Sequence, residues 1–166
     1  MLTFISEKQK KEILKLLISH YGIEDLEFPH KFPYILVKDT NGRIFIINEK
    51  IREISLSDLK IESIGLYFCK LVHNEIRLSM EGSFIIGKQA KKNILDISKE
   101  QLKDWISGKD IKLDENQLEE SQNKDKNNNL QGFIIIKHNN DFLGAGKLKD
   151  SIILNFVPKE RRSTKI

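Results

Sequence analysis

The residues of this 166-residue chain best suited to chemistry stand near its end. Lys159, Arg161, Arg162 and Lys165 follow directly on the apolar run Ile152–Val157 and on Pro158. Each Lys or Arg that neutralises a phosphate releases a condensed counterion, a gain that ignores base sequence. Arg adds a planar donor fork for phosphate and a flat face for stacking on a base. The charge distribution points to the same place. The chain carries a net charge of +4, and residues 132–166 alone hold 7 Lys and Arg against 3 Asp and Glu, which is also +4. A cationic exit from a β-rich segment is the sequence mark of a nucleic-acid surface.

Other chemistries lack their residues. His20, His30, His73 and His138 are scattered without ligand spacing, and Cys69 is the single cysteine, so no metal site and no internal disulfide are expected. A lone thiol fits a reducing compartment, and a cytoplasmic location is expected. Gly144-Ala145-Gly146 lacks the further glycine and the strand-to-helix context of a dinucleotide site. It reads instead as a bend or close approach within a strand. Ser55, Ser57 and Ser79 belong to no nucleophile motif. The expectation is a protein that is not an enzyme, with no catalytic residue, no cofactor and no small-molecule substrate. The apolar runs are too short to span a bilayer, and no membrane partner is expected.

The elements that must position the basic cluster read as follows. Ser6 and Gln9 form a capping-box pair ahead of the stripe Ile13, Leu14, Leu16, Leu17 and Tyr21, and Gly22 supplies the stop. Tyr34–Lys38 and Arg43–Ile47 are strand-like and flank Asn41-Gly42, a strong hairpin signal. A short helix is expected from Glu49 to Ile54, a second hairpin around His73-Asn74, and a helix over residues 82–89. The second half opens with a strand over Asn93–Ile97. A helix follows, capped by Ser98 and Gln101, which buries Leu102, Trp105 and Ile106 and ends at Gly108. Residues 116–129 are polar and rich in Asn, and are expected to form an exposed, mobile loop. Phe133–Ile136, a turn at Asn139-Asn140-Asp141, the glycine pair and Ile152–Val157 complete a set of closely spaced strands. The reading is an α+β protein of two domains, residues 1–89 and 90–166. The N-terminal domain is an antiparallel sheet with flanking helices; the C-terminal domain is a small β pseudo-barrel with one main helix.

The stretch Gly132–Arg162 resembles the end of a PUA domain: a strand G-F-I-I-I, a short turn, F-L-G-A-G-K, and an apolar strand ending P-K-E-R-R. PUA domains are RNA-binding pseudo-barrels, and the helix ending Trp105-Ile106-Ser107-Gly108-Lys109-Asp110 keeps their order. In such domains the RNA face includes the glycine loop at the helix end and the neighbouring strands. The resemblance therefore implies Gly108, Lys109 and Lys147 as further contacts beside Lys159, Arg161, Arg162 and Lys165.

Upstream, three segments resemble one particular pre-PUA domain: Arg43-Ile44-Phe45-Ile46-Ile47-Asn48-Glu49-Lys50-Ile51, Ser63-Ile64-Gly65-Leu66-Tyr67-Phe68-Cys69-Lys70 and Glu75-Ile76-Arg77-Leu78-Ser79. The combination is similar to the Nip-seven family of large-ribosomal-subunit biogenesis factors, in a short form of archaeal type. Cys69 departs from it, standing where the family often has Gly. The resemblance implies a non-catalytic protein in pre-rRNA processing and large-subunit assembly. Its partners would be RNA, in single-stranded or loop regions, and ribosome-assembly proteins bound through the N-terminal domain. It would be cytoplasmic, or nucleolar in a eukaryote. The alternative is the RNA-targeting subunit of a tRNA or rRNA modification enzyme.

Overall fold

The computed structural model describes residues 2–28, 33–55, 59–61, 64–122 and 130–163. The chain opens with β1 (Thr3–Phe4) and α1 (Glu7–Tyr21). Ser6 accepts the Gln9 N–H while its own N–H donates to the Gln9 side chain at 3.1 Å, so two of the orphan donors at the helix start are satisfied reciprocally. Ile13, Leu17 and Tyr21, one helical turn apart, face the core.

Strands β2 (Tyr34–Lys38), β3 (Arg43–Asn48), β4 (Leu66–Val72) and β5 (Glu75–Leu78) join β1 in an antiparallel sheet ordered β1-β2-β3-β4-β5. The β2–β3 hairpin is held by Asp39. One of its oxygens accepts from the Asn41 and Arg43 N–H groups at 2.9 and 2.8 Å; the other meets the Arg43 side chain at 2.6 Å. Burial works against ionising Asp39, yet these Arg43 and backbone donors hold its carboxyl below the ordinary range. The β4–β5 turn is His73-Asn74, both with left-handed φ, as a two-residue hairpin of the favoured twist requires. The short helix expected at Glu49–Ile54 is a 3-10 turn over Glu49–Glu53. Ser79 then caps α2 (Met80–Gly87) by accepting the Gly82 N–H at 2.8 Å.

The second half contains β6 (Ile94–Asp96), α3 (Lys99–Ser107), β7 (Ile111–Lys112), α4 (Glu115–Gln122), β8 (Phe133–His138), β9 (Asp141–Lys149) and β10 (Ile152–Leu154). Its sheet runs β6-β8-β9-β10-β7, with β6 and β8 parallel and the other pairs antiparallel. The expected α+β class is found, with an N-terminal antiparallel sheet and a second five-stranded sheet in the C-terminal half. α3 has the expected capping box at Ser98 and Gln101 and ends at Gly108, φ 89°.

One expectation is corrected. The stretch 116–129 does not begin as an exposed loop, because α4 occupies its first part. Asp114 and Gln117 bond reciprocally at 2.8 and 3.0 Å, a capping arrangement built on Asp. Gln117 is buried and exchanges amide bonds with Gln101, while Leu118 packs on the core. Residues 123–129 lie outside the described residues. The last ladder is also shorter than Ile152–Val157. It stops at Leu154, and the Asn155 N–H donates to Asp110 at 2.8 Å instead.

Two hydrophobic clusters share β8. Ile134 and Ile136 enter one with Trp105, Ile111 and Ile153; Ile135 enters the other with Leu17, Tyr21, Phe68 and Ile86. Both faces of β8 are covered, which accounts for the uninterrupted apolar run Phe133–Ile136.

Among the polar bonds that tie the two halves, two places stand out. Asn93, buried and left-handed at φ 55°, donates to the His20 carbonyl at 2.8 Å and accepts the Gln131 N–H at 2.7 Å. The second place is a bulge in β9. Ile135 faces Ala145 and Lys137 faces Phe142, so Leu143 and Gly144 together stand opposite Ile136. Gly144 has φ 99°, where a side chain would be strained. Trp105 from α3 donates its indole N–H to the Leu143 carbonyl at 2.9 Å, and the Gly144 N–H donates to Ser83 Oγ on α2 at 2.9 Å. At Gly146 a Cβ would overlap Ile153 and crowd the Trp105 ring, the close approach the glycine pair foreshadows.

Candidate nucleic-acid interface

The seven expected RNA contacts do not form one patch of free cations. Lys159 is exposed in a 3-10 turn over Lys159–Arg161. Arg161 pairs with Glu81 at the start of α2. Arg162 donates through Nε to the Val157 carbonyl at 3.0 Å and lies so close over Gly108 that a Cβ there would overlap its side chain. Lys109 is exposed and pairs with Asp104 at 3.0 Å. Asn155 fixes this corner by donating to the Trp105 and Lys109 carbonyls at 2.7 and 2.9 Å. The structure thus brings Gly108, Lys109 and Arg162 together, with Lys159 and Arg161 in the adjoining turn. Lys147 belongs elsewhere: it pairs with Glu75 of β5 and stands 4.8 Å over the Phe133 ring. Lys165 lies outside the described residues.

A second feature escaped the sequence reading. A groove of about 300 Å³ opens where the two halves meet. Arg43, Tyr67 and Arg77 line it from the first sheet, and Phe156 and Arg161 from the segment after β10. On β3, Ile44 and Ile46 turn to the core, which leaves Arg43 and Phe45 on the opposite face. Register carries the pattern across the sheet: Arg43 stands opposite Lys70, and Lys70 opposite Arg77. A bulge at Phe68 then brings Tyr67 opposite Phe45.

Rings and cations alternate along this surface. Arg43 lies 5.8 Å from the Phe45 centroid, Phe45 and Tyr67 are 5.4 Å apart, and Arg77 lies 4.6 Å over Phe156. Phe156 in turn faces Phe133 at 6.0 Å. Burial raises the Tyr67 phenol above its ordinary value, with the Arg77 guanidinium pulling the other way. Chemically, the arrangement offers flat apolar faces and a delocalised positive charge, which are the two things a stacked base and its phosphate need.

Among the described residues, no cluster of three His, Cys, Asp or Glu side chains could hold a metal ion, and no helix is long and apolar enough to cross a membrane. No curated protein matches the chain. A family model described as "Methyltransferase RsmF PUA domain" matches residues 92–163, the stretch that holds α3, the glycine corner and the β9 bulge. Residues 92–163 are therefore a PUA-like domain, similar to that of RsmF-type methyltransferases and pointing to RNA as its ligand.

Proposed function

We propose that the protein binds RNA without catalysing a reaction on it, and that it serves large-subunit ribosome assembly in the cytoplasm by acting on precursor ribosomal RNA. The observation that carries this reading is the PUA-like domain at residues 92–163. The resemblance of the Arg43–Ile51, Ser63–Lys70 and Glu75–Ser79 segments to the Nip-seven family supplies the assembly role. On this reading the corner of Gly108, Lys109, Lys159, Arg161 and Arg162 contributes phosphate contacts, with Lys147 and Lys165 as outlying cations. Assembly proteins would dock on the first half, where Phe4, Leu16 and Ile18 expose apolar surface.

A second reading has its own support. The matched family model is that of the PUA domain of a methyltransferase, so on this reading the chain would be the targeting subunit of a modification enzyme. Crosslinking in cells, with sequencing of the bound RNA, separates the two. Enrichment of large-subunit precursors is expected. Enrichment of tRNA together with a co-purifying methyltransferase would favour the second reading, and RNA at background level would overturn both.

A further inference from the structure

We propose that the groove between the two halves is a binding site for a single-stranded ribonucleotide segment, a site to which both halves of the chain contribute. It would hold a phosphate on Arg43 and Arg77, which line it, with Lys70 between them in the strand register, and stack a base on Phe156 and Tyr67. The inference rests on the RNA reading above and places its main contact away from the basic corner at Gly108.

Three observations carry it. The first is the row itself. Three cations stand directly opposite one another on three neighbouring strands, an arrangement that like-charge repulsion disfavours. Of the three, among the described residues, only Arg43 has a carboxylate within salt-bridge distance, that of Asp39. Lys70 and Arg77 face each other without one. Of the nearby acids, Glu75 holds Lys147, Glu81 holds Arg161 within the groove lining, and Glu160 lines the groove from the segment after β10. A bound phosphate would relieve the repulsion.

The second observation is the geometry of the rings. Phe156 stays 39% exposed although Arg77 and Phe133 lie against it, so an aromatic face remains open at the groove. Every base has a π-face, and stacking on such a ring does not depend on sequence. The third observation is size and rigidity. A groove of about 300 Å³ reaches the lower end of the range for small-ligand pockets. Its floor includes Leu143 and Gly144, which the bonds from Trp105 and to Ser83 hold in place. An acidic peptide would satisfy the cations but would leave the ring face unused.

The test uses the full chain and a fluorescently labelled oligouridine, with binding followed by anisotropy across a salt series. Arg43 is left alone because it also holds the β2–β3 turn. Lys70→Ala with Arg77→Ala should weaken binding and flatten the log–log salt slope by about 1.4, since each cation that neutralises a phosphate of a single strand supplies roughly 0.7. Phe156→Leu keeps an apolar side chain against Phe133 but removes the ring. It should weaken binding about five- to hundredfold at any salt concentration, with the melting temperature near that of the parent. Ultraviolet crosslinking to the oligomer should map to the peptides holding Tyr67 or Phe156. The basic-corner variant Lys109→Ala with Lys159→Ala serves as comparison. If it alone weakens binding while the groove variants bind as the parent does, the groove proposal falls and the RNA reading stands. If the parent binds no oligouridine, and an acidic peptide or nothing binds in its place, both fall.

Discussion

Replacing Ser83 by Ala tests whether the β9 bulge is held as the structure indicates. Ser83 is fully buried on α2. Its Oγ accepts the Gly144 N–H at 2.9 Å and donates to the Met80 carbonyl at 2.7 Å. The second bond adds only a second donor to a helix carbonyl and matters little. The first is the partner of a buried backbone N–H inside a bulge, where the ladder to β8 is interrupted. A methyl group removes the acceptor, so the cost is that of an unsatisfied buried donor, about 1–3 kcal/mol. In a chain of this size each kcal/mol lowers the melting temperature by about 2–4 °C, so a mid-range loss corresponds to about 4–8 °C. Urea unfolding should show a lower midpoint with an unchanged slope, the signature of lost stability without a change in the surface exposed. Ser107→Ala is the matched control, since Ser107 Oγ donates only to the Asp104 carbonyl within α3. It should stay within about 0.5 kcal/mol of the parent. A Ser83→Ala loss no larger than the control's would refute the reasoning, because the Gly144 N–H would then have another partner.

Two further outcomes are expected. Arg162→Ala should cost about 1 kcal/mol in thermal unfolding, the worth of an ordinary net hydrogen bond, because it removes the donor to the Val157 carbonyl and the cover over Gly108. Lys159→Ala, an exposed cation, should cost less than about 0.5 kcal/mol, and equal losses would show that the arginine only decorates the surface. Cys69 is fully buried and its thiol is pushed above the ordinary range by that burial, so a thiol reagent at neutral pH should label it only as fast as the fold opens. Labelling as rapid as in denaturant would contradict the packing of β4.

Local signals with a fixed geometric meaning were legible in the sequence. Ser6 with Gln9 and Ser98 with Gln101 marked helix starts, because a capping box needs those two residue types three apart. Asn41-Gly42 and His73-Asn74 marked hairpins, since such pairs tolerate left-handed backbone angles. The glycine pair at residues 144 and 146 announced a distortion, and the structure separates its two roles into a bulge and a close approach. What failed was reading polarity as disorder. α4 carries few apolar residues, but Gln117 is satisfied by Gln101 and Leu118 reaches the core.

The groove was partly within reach. The two-residue turn at His73-Asn74 places Lys70 opposite Arg77 by counting alone. Arg43 could not be added that way, because its alignment with Lys70 crosses a long connection and sits beside a bulge at Phe68 that no turn chemistry announces. Phe156 was hidden for a different reason: it reads as one more apolar strand residue, although the ladder stops two residues before it.

The ion pairs at the junction explain how a cationic row persists on the first sheet. Glu75 and Glu81 flank Arg77 in sequence and are the acids best placed to neutralise it. Each is drawn instead to a cation of the second half, Glu75 to Lys147 and Glu81 to Arg161. Both pairs are partly exposed, so each contributes at most about 1 kcal/mol to stability. Their larger effect is on distribution: each pair commits a carboxylate to a cation of the second half, and among the described residues Lys70 and Arg77 have no carboxylate within salt-bridge distance. Of the cations that the sequence assigns to phosphate, Lys147 and Arg161 therefore act first on the protein itself, each holding a carboxylate of the first half.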